Sequence, residues 1–594
     1  MFSKVLIANR GEIAVRVIRA CEELGVASVA VYSELDRDAI HVKRADEAYL
    51  IGPGPAAESY LVIEKILDVA KRSGADAIHP GYGFLAENAT FAAACEQAGI
   101  VFIGPPASAI DAMGSKTAAR ELMQKAGVPI VPGTTEPVAD VRAARKVIRD
   151  TIGFPVAVKA AGGGGGKGFR VALTDDELES AFEGASREGE KFFSDPTVYL
   201  ERYLPDPRHV EVQVLADRHG NVIHLGERDC SVQRRHQKLI EESPAPAVDE
   251  ALRAHIGRVA TDAAAAVNYV GAGTIEGLLQ DGEYFFLEMN TRVQVEHCVT
   301  EMTTGIDIVK EGMRAAAGEP LSISQDEVVL RGHAIECRIN AEDASKNFAP
   351  APGKIGAYVE PSGPGVRVDS GVGPGGEVSP MYDPMVAKLI VWDSDREAAT
   401  RRMLRALDEY EITELKTLIP FHKALLATRQ WANAETCRDL VEDKRWLRAL
   451  AFEPAVPADG DDEGEKLEQT YTVEVSGRRF DVRVIGAPFG GMVMNGAAPA
   501  AAGSARKPRE RKRGGSAVGG DTLPSPLQGN MWRVKVRQGD TVEEGQLLCI
   551  IEAMKMENEI TAHKAGVVAE LPITEGAAIA AGDPIATIAS PAAE

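Results

Sequence analysis

The feature that most constrains the fold is a repeat near the C-terminus, where residues 529–551 align with residues 566–588 at a constant offset of 37. Glycines recur at matching positions, namely Gly529 and Gly566, Gly539 and Gly576, and Gly545 and Gly582. Buried-type residues also match, namely Val536 and Ile573, Val542 and Ile579, and Leu548 and Ile585. Short apolar strands separated by glycines and present twice predict two related half-sheets packed face to face.

The segment between the two halves reads Glu552-Ala-Met-Lys555-Met-Glu557. A lysine between two methionines is unusual on a surface, and a hairpin joining the halves would place Lys555 at its tip. This arrangement resembles the biotinyl carrier domain, whose signature is Ala-Met-Lys-Met; the related lipoyl domains usually carry Asp-Lys-Ala. The resemblance implies biotin attached covalently to Lys555 by a biotin protein ligase that binds transiently. The alternative is an ordinary β-sandwich with an exposed lysine.

Length and charge restrict the class of protein. A chain of 594 residues predicts three or more domains, and a net charge of −22 argues against binding to nucleic acid or to an anionic membrane. The sequence contains no run of eighteen apolar residues, so we expect no transmembrane helix. The seven cysteines are scattered and never in CxxC spacing, which predicts reduced thiols and no zinc site. The N-terminus enters a strand directly, so we expect a cytoplasmic protein without a signal peptide.

The chain opens as an alternating α/β unit, with strands predicted over 4–8 and 26–32 and an amphipathic helix over 11–24. The turn at 9–14 has only one glycine, so a dinucleotide-binding GxGxxG turn is not supported. Residues 79–88 predict a loop leading into a helix that begins near Ala89. By itself this segment is equally compatible with a tight turn built from proline and glycine.

A glycine-rich stretch follows an apolar strand predicted over 155–159. Residues 162–168 read Gly-Gly-Gly-Gly-Gly-Lys-Gly, and ordering five glycines is costly unless their bare backbone N–H groups approach an anion. The spacing does not match a Walker loop, so a flexible lid over a triphosphate is the better interpretation. The alternative is a mobile surface loop.

Paired carboxylates mark a second site. Glu276 and Glu288 are each predicted in a strand, with the turn at 280–283, so antiparallel pairing would place both on one face with Asn290 nearby. Such hard oxygen ligands suit Mg²⁺. From Glu288 to Glu296, polar residues with long or amide side chains occupy every second position, which predicts a strand with one face that lines a site. The alternative is an edge strand whose polar face is exposed to solvent. The basic cluster at 227–238 suggests recognition of a small anion such as phosphate or bicarbonate.

Together with residues 8–14, 79–88 and 113–116, these clusters resemble the biotin carboxylases of the ATP-grasp superfamily, from Met1 to about Ala451. The resemblance implies an α/β multidomain fold with an ATP-grasp domain and a mixed α+β C-terminal domain, followed by a small all-β biotinyl domain (a flattened β-barrel or sandwich). The expected domains are 1–113 (α/β), 114–330 (ATP-grasp, with a lid over about 131–204), 331–451 (α+β), 452–496 (a short subunit-docking region), 497–522 (a flexible linker) and 523–590 (the biotinyl carrier).

The resemblance also implies roles for individual residues. The expected nucleotide-binding residues are Lys116 and Lys159 at the phosphates, Gly164, Gly165 and Gly166 in the lid, Glu201, Arg202, Tyr203 and Leu204 at the adenine, and His209, Gln233 and His236 towards the ribose. The expected Mg²⁺ (or Mn²⁺) ligands are Glu276, Glu288 and Asn290. Lys238, Arg292, Gln294 and Val295 would position bicarbonate, Glu296 would act as the base, and Arg338 would face the biotin ureido group.

Three departures from the family pattern are visible. Phe169 stands where methionine is common after the lid, and Cys298 replaces a proline; neither change removes a chemical role. The region 452–522 is much shorter than the docking domain of many relatives. Its residues 471–484 predict a hairpin that turns at 476–477, and a basic cluster at 506–513 lies in the linker.

The implied activity is ATP-dependent carboxylation of biotin by bicarbonate, a ligase reaction that yields ADP. No segment resembles a carboxyltransferase, so we expect a separate carboxyltransferase β subunit, with this chain as the α subunit of an acyl-CoA carboxylase in fatty acid biosynthesis. Acetyl-CoA or propionyl-CoA is the expected acceptor, with methylcrotonyl-CoA or geranyl-CoA as alternatives. A non-catalytic biotin carrier scaffold and an ATP-grasp ligase for peptides or amines are the competing classes.

Overall fold

The computed structural model describes residues 1–114, 116–160, 168–193, 195–234, 237–450, 467–475, 478–486, 522–525, 529–553, 556–579 and 582–589. The chain divides into two compact units, one made of residues 1–451 and 523–594 and the other of residues 452–522. All seven cysteines are buried free thiols. Within the described ranges, no helix is long and apolar enough to cross a membrane.

The first segment is a parallel five-stranded sheet in the order β3-β2-β1-β4-β5. The predicted strands and the predicted first helix are present, with ends shifted by one or two residues. The elements are β1 Lys4–Ile7, α1 Gly11–Glu23, β2 Ala27–Ser33, α2 Ile40–Arg44, β3 Glu47–Gly52, α3 Ile63–Ser73, β4 Ala77–His79, α4 Ala89–Gln97, β5 Val101–Phe102 and α5 Ala107–Gly114. Asn88 caps α4 through a bond from the Phe91 backbone N–H, so the helix begins where the sequence predicts.

A small three-stranded sheet in the order β7-β6-β8 follows, covered by two helices. Its elements are α6 Lys116–Lys125, α7 Val141–Val147, β6 Val156–Ala160, β7 Phe169–Ala172, α8 Asp175–Phe193 and β8 Val198–Arg202. The strand predicted over 155–159 is β6, and β7 follows the glycine-rich stretch. Lys159 on β6 therefore pairs with Phe169 on β7 and with Tyr199 on β8, and Glu201 lies two residues further along β8.

An eight-stranded antiparallel sheet forms the centre of the large unit and runs in the order β13-β12-β9-β10-β11-β14-β21-β19. Its first elements are β9 Arg208–Ala216, β10 Val222–Arg234, β11 Gln237–Ser243, α9 Glu250–Ala266, β12 Gly271–Gln280, β13 Glu283–Asn290, α10 His297–Thr304, α11 Ile308–Ala316 and β14 His333–Asn340. Strand β9 alternates valines that pack in the core with α9 against polar residues on the opposite face. Because β14 pairs with β11, the sheet continues into the segment after residue 330.

The segment up to residue 450 completes this sheet and packs helices against it. The remaining elements are β15 Glu342–Asp343, β16 Ala349–Pro350, β17 Gly353–Lys354, β18 Tyr358–Val359, β19 Val366–Ser370, β20 Glu377–Val378, β21 Met385–Asp393, α12 Arg396–Glu409, β22 Glu411–Ile412, α13 Ile419–Leu426, α14 Arg429–Ala432, α15 Arg438–Glu442 and α16 Lys444–Arg448. The largest apolar cluster among the described residues lies here, between β11, β14, β21 and helices α12 and α13.

The smaller unit contains a β-hairpin formed by β23 Leu467–Val475 and β24 Arg478–Gly486. Val475 pairs with Arg478, so two residues connect the strands, as the sequence predicts. The predicted linker over 497–522 lies outside the described residues except for Thr522.

The C-terminal repeat folds as two four-stranded sheets in the orders β25-β32-β30-β27 and β29-β28-β26-β31. The strands are β25 Thr522–Pro524, β26 Gly529–Val534, β27 Thr541–Val542, β28 Leu547–Ala553, β29 Met556–Thr561, β30 Gly566–Glu570, β31 Ala578–Ile579 and β32 Pro584–Ala589. Each half lends its short strand to the sheet of the other half. Two of the three repeated glycine pairs share a positive φ, +94° and +84° for Gly539 and Gly576, and +84° and +94° for Gly545 and Gly582. A side chain would strain the backbone there, which explains why glycine recurs.

Candidate active site

The β12–β13 hairpin brings the predicted metal ligands together. Glu276 pairs directly with Glu288, and Thr274 pairs with Asn290, so the carboxylates and the amide share one face of the sheet. The Asn290 Nδ2 donates to Glu276 Oε1 at 2.7 Å. The pairing that the sequence predicts is therefore present.

Lys238 contacts three carboxylates at the centre of this face. Its Nζ donates to Glu211 Oε2 at 2.6 Å, to Glu276 Oε1 at 2.8 Å and to Glu296 Oε1 at 2.6 Å. Burial alone would lower the pKa of Lys238, but the three carboxylates raise it well above its usual value. Lys238 is therefore a cation, and an anionic ligand that reaches it must compete with these carboxylates.

Glu296 lies between two cations. It accepts from Lys238 and, through Oε2, from Arg338 Nη2 at 2.8 Å. Burial would raise the pKa of Glu296, but Lys238, Arg338 and Arg228 hold it well below its usual range. The residue is thus a buried carboxylate that stays ionised.

The continuous strand predicted up to Glu296 is wrong in its second half. Strand β13 ends at Asn290, and the next six residues form a loop that leads into α10 at His297. Contacts remote in sequence hold this loop, because Glu87 accepts from the Thr291 backbone N–H at 3.2 Å and from Arg292 Nε at 2.9 Å. The polar residues of the loop still face the cluster, but a loop and not a strand face directs them there.

Arg292 and Gln294 join the loop to the carboxylates. Arg292 Nη2 donates to Asn290 Oδ1 at 3.0 Å, and Gln294 Nε2 donates to Glu276 Oε1 at 2.5 Å. Burial would lower the pKa of the Arg292 guanidinium, but Glu87 raises it. The Val295 carbonyl accepts from Lys388 Nζ at 2.9 Å, which fixes the backbone at the predicted bicarbonate-binding position.

The nucleotide-binding residues predicted on β6, β8 and β9 form a second group. Lys159 and Arg120 both pair with Glu201, the latter at 2.8 Å, and Arg202 pairs with Glu283 at 3.3 Å. Leu204 packs with Val131 and Phe285 in a small apolar cluster. The Tyr203 ring centroid lies 6.5 Å from that of Phe169. This group offers cations and an apolar patch close together.

His209 and Gln233 are the residues expected towards the ribose that the structure describes. The His209 Nε2 is 2.7 Å from Glu276 Oε2, and although burial would lower the pKa of His209, Glu276 raises it. The Gln233 Nε2 donates to the Cys230 carbonyl at 3.3 Å. Of the other expected residues, Gly164, Gly165, Gly166, His236 and Lys555 lie outside the described residues, as does the side chain of Lys116, whose backbone begins α6.

Residues that received no individual role from the sequence complete the cluster. Arg228 is fully buried and donates to Glu211 Oε1 at 2.6 Å and to Gln294 Oε1 at 2.8 Å. Glu241 accepts from Arg338 Nε at 2.6 Å, and Glu87 holds Arg292. A polar residue between valines on β9 was the available signal for Glu211, because such a residue needs a buried partner. Strand β11 is mostly polar, so Glu241 had no such signal.

The donor set fits a hard divalent cation. Glu276, Glu288 and Asn290 present carboxylate and amide oxygens on one face, the ligand type that Mg²⁺ prefers. Burial would raise the pKa of Glu276, but Lys238 and His209 lower it far below the usual range, so the carboxylate is ready to bind a cation without losing a proton. These three residues could hold the metal beside the anion-binding cations.

In the C-terminal domain, β28 and β29 form the hairpin that the sequence predicts around Lys555. Ala553 pairs with Met556 and Glu552 pairs with Glu557. The two residues between Ala553 and Met556 in the chain, one of which is Lys555, lie outside the described residues. The attachment point expected from the sequence thus falls between two described strands of the C-terminal domain, whose apolar residues pack in one cluster.

Comparison with known families gives four matches along the chain. They are "Biotin carboxylase, N-terminal domain" over residues 1–110, "Carbamoyl-phosphate synthase L chain, ATP binding domain" over 115–324, "Biotin carboxylase C-terminal domain" over 336–443 and "Biotin-requiring enzyme" over 521–588. They follow one another in the order that the sequence predicts.

Individual proteins agree with these matches. The biotin-dependent acyl-coenzyme A carboxylase alpha3 subunit of Mycobacterium leprae is 47% identical over 595 residues, 99% of this chain and 98% of the relative. A pyruvate carboxylase subunit of Methanothermobacter thermautotrophicus is 54% identical over 445 residues, 75% of this chain and 90% of the relative. The biotin carboxylase domain of Hydrogenobacter thermophilus 2-oxoglutarate carboxylase, solved with MgADP, ADP and bicarbonate, superposes with a TM-score of 0.69 at 49% identity and covers 75% of this chain and 99% of that domain.

Proposed function

The chain belongs to the biotin-dependent carboxylase family whose members join a biotin carboxylase to a biotinyl domain, and we propose that it carboxylates the biotin carried on its own Lys555. The observation that carries this proposal is the buried Glu296 carboxylate held between Lys238 and Arg338. A base beside two cations can take a proton from bicarbonate on one side and face the biotin ureido group on the other.

In the first step, bicarbonate is bound by Lys238 and Arg292, beside Gln294 and Val295. The anion competes with Glu296 for the Lys238 ammonium, and losing that contact raises the pKa of Glu296 and makes it a stronger base. Glu296 then accepts the bicarbonate proton while the bicarbonate oxygen attacks the γ-phosphorus of ATP. The bond to the bridging oxygen breaks, ADP leaves, and carboxyphosphate forms.

The nucleotide is held by residues of the second group. Lys116 and Lys159 balance the phosphate charge, with the glycines at 164–166 as a lid; Glu201 to Leu204 hold the adenine, and His209, Gln233 and His236 lie towards the ribose. Mg²⁺ held by Glu276, Glu288 and Asn290 would neutralise charge on the transferring phosphoryl group. Placing fixed cations where negative charge develops is a large source of rate acceleration.

In the second step, carboxyphosphate decomposes to CO₂ and phosphate, and the phosphate removes the proton from biotin N1. The N1 atom then forms the new C–N bond with CO₂. Arg338 stabilises the negative charge on the ureido oxygen while N1 lacks its proton. Lys238 and Arg292 therefore bind the bicarbonate anion in the first step, and Arg338 stabilises the biotin anion in the second step.

The acceptor reaction is assigned to a separate carboxyltransferase β subunit. Whole-length similarity to an acyl-coenzyme A carboxylase α subunit supports an acyl-CoA acceptor, with acetyl-CoA or propionyl-CoA proposed ahead of methylcrotonyl-CoA or geranyl-CoA. The segment 452–496 is proposed to dock this partner, and 497–522 to act as the linker that lets the carrier travel. The relative named as a pyruvate carboxylase subunit supports pyruvate as a second candidate acceptor.

The test is bicarbonate-dependent ADP release in the presence of Mg²⁺, stimulated by free biotin. We expect Glu296→Ala to abolish the bicarbonate-dependent part. ADP release at a rate that depends on neither bicarbonate nor biotin would contradict the proposal. Screening acyl-CoA thioesters and pyruvate with the co-purified partner then identifies the acceptor.

A further inference from the structure

Two carboxylates on different elements hold Arg338, and the proposed mechanism uses only one of them. Arg338 Nη2 donates to Glu296 at 2.8 Å, while its Nε donates to Glu241 Oε1 at 2.6 Å. Glu241 is fully buried, and its second oxygen has no hydrogen-bond partner within the described part of the chain. An uncompensated buried carboxylate oxygen is costly, so its environment requires an explanation.

Glu336 supplies that explanation. It lies on β14 directly opposite Glu241 on β11, in the same register row of the sheet. Cβ atoms of directly opposed residues on antiparallel strands are about 4.5–5.5 Å apart, within reach for two glutamate side chains. Glu336 is also fully buried, and neither of its oxygens has a hydrogen-bond donor among the described residues.

Two neighbouring buried carboxylates cannot both be ionised, because their charges repel in a medium that solvates them poorly. Burial raises the pKa of Glu336 well above its usual value, even against Lys388. Burial likewise raises the pKa of Glu241, to about 7, although the nearby Arg338 lowers it. Near neutral pH the pair therefore holds one proton.

The pair is surrounded by groups from every neighbouring strand and from the loop before α10. The charged and titratable groups that face it are Lys238, Cys230, Glu296, Cys298, Cys337, Arg338 and Lys388. Arg338 is the cation that makes a hydrogen bond to the pair. A change in the number of protons on the pair therefore changes the charge beside the Arg338 guanidinium most directly.

We propose that Glu241 and Glu336 share one proton and form a carboxyl pair that positions Arg338 for the biotin half of the reaction. With one proton on the pair, Glu241 is an anion, and two carboxylates fix the plane of the guanidinium. With two protons, Glu296 is the one carboxylate of the two that still carries a charge to hold Arg338, and Glu296 must also take part in the chemistry. This inference rests on the proposed function and adds two positioning residues to it.

The direction of the pH dependence follows. Arg338 gains its second anion as pH rises through the pKa of Glu241, so kcat/KM for biotin should rise through about pH 7 and level off above it. Bicarbonate-dependent ADP release without biotin does not require Arg338 to face the ureido group. That release should therefore depend less on the pair.

The experiment compares the full-length enzyme with Glu241→Gln, Glu336→Gln, Glu336→Leu and Glu342→Gln, measuring kcat/KM for free biotin between about pH 6 and 9. Glu342 is a matched control, because it is equally buried and burial raises its pKa to about 7, yet it accepts a hydrogen bond from Gln237 at 3.4 Å and not from Arg338. Thermal midpoints and biotin-independent ADP release are recorded for each variant.

Glu241→Gln should lower kcat/KM for biotin roughly ten- to hundredfold at the alkaline end, the effect expected for a charge-assisted hydrogen bond, and should remove the rise near pH 7. Glu336→Gln keeps a neutral donor beside Glu241, so it should preserve both the alkaline rate and the rise near pH 7. Glu336→Leu removes that donor from the Glu241 anion, so it should move the rise to higher pH. Glu342→Gln should keep the wild-type profile.

A rise near pH 7 that persists in Glu241→Gln, or an unmoved rise in Glu336→Leu, overturns the inference. The second outcome decides the matter even if Glu241→Gln does not fold. A wild-type enzyme without biotin-stimulated turnover would instead overturn the proposed function. The two failures are therefore distinct.

Discussion

Replacing Lys238 by glutamine removes the one ammonium that bridges Glu211, Glu276 and Glu296. The side chain is only 10% exposed, so water cannot take its place. Each carboxylate keeps another donor, namely Arg228 for Glu211, Asn290 for Glu276 and Arg338 for Glu296. We therefore expect a loss near the lower end of the range for breaking a buried ion pair, about 3 kcal/mol.

For a domain of about 200 residues this loss corresponds to a thermal midpoint lowered by roughly 6–12 °C. Catalysis should suffer as well, because a charged donor to bicarbonate is lost, and kcat/KM for bicarbonate should fall roughly ten- to hundredfold. The pKa of Glu296 should rise, since Lys238 is the cation that lowers it most, so the acid limb of the remaining activity should move to higher pH.

The assay is a thermal scan together with bicarbonate-dependent ADP release. The control is Lys125→Gln, which removes an exposed lysine that pairs with Glu121 one helical turn away and should leave both readouts unchanged. A Lys238→Gln variant with the wild-type midpoint and the wild-type kcat/KM for bicarbonate would refute the reasoning.

Four further outcomes are expected. Glu296→Gln keeps the shape of the side chain but cannot accept a proton, so bicarbonate-dependent ADP release should be lost; release at the wild-type rate would contradict its role as base. Burial alone would raise the pKa of Glu301, but Arg16 and neighbouring cations hold it at about 2, so the stabilisation is present above about pH 4.5 and is lost as pH falls towards 2. Glu301→Gln should thus cost about 3 kcal/mol in urea unfolding at neutral pH and much less near pH 2.5; equal losses at both would contradict this. Lys555→Arg should abolish the mass increase due to biotin while free biotin is still carboxylated. Chelation of divalent cations should stop ADP release, and added Mg²⁺ should restore it.

Local patterns determined the parts of the fold that short-range geometry controls. The offset repeat predicted the C-terminal sandwich, because matching glycines need the same positive φ in each half. The short turn between Glu276 and Glu288 likewise predicted their pairing, since a tight hairpin leaves little freedom in register.

Contacts between residues distant in sequence could not be predicted from those local patterns. Arg338 meets Glu241 only because β14 pairs with β11, and no local signal encodes a pairing between strands so far apart in the chain. The same limitation explains the wrong strand up to Glu296, because the loop after Asn290 is held by Glu87 from the first segment. Alternation of polar residues thus predicted which residues face the site but not the backbone that carries them.

One chain is proposed to carry both the carboxylase and the biotin that it carboxylates. The most direct test supplies radiolabelled bicarbonate, ATP and Mg²⁺ to biotinylated full-length protein and measures label on the intact chain. We predict label that requires ATP, approaches one carboxyl group per biotin and disappears in both Glu296→Gln and Lys555→Arg. A fully biotinylated wild-type chain that acquires no label, or a Glu296→Gln chain that is labelled as fast as wild type, would contradict this proposal.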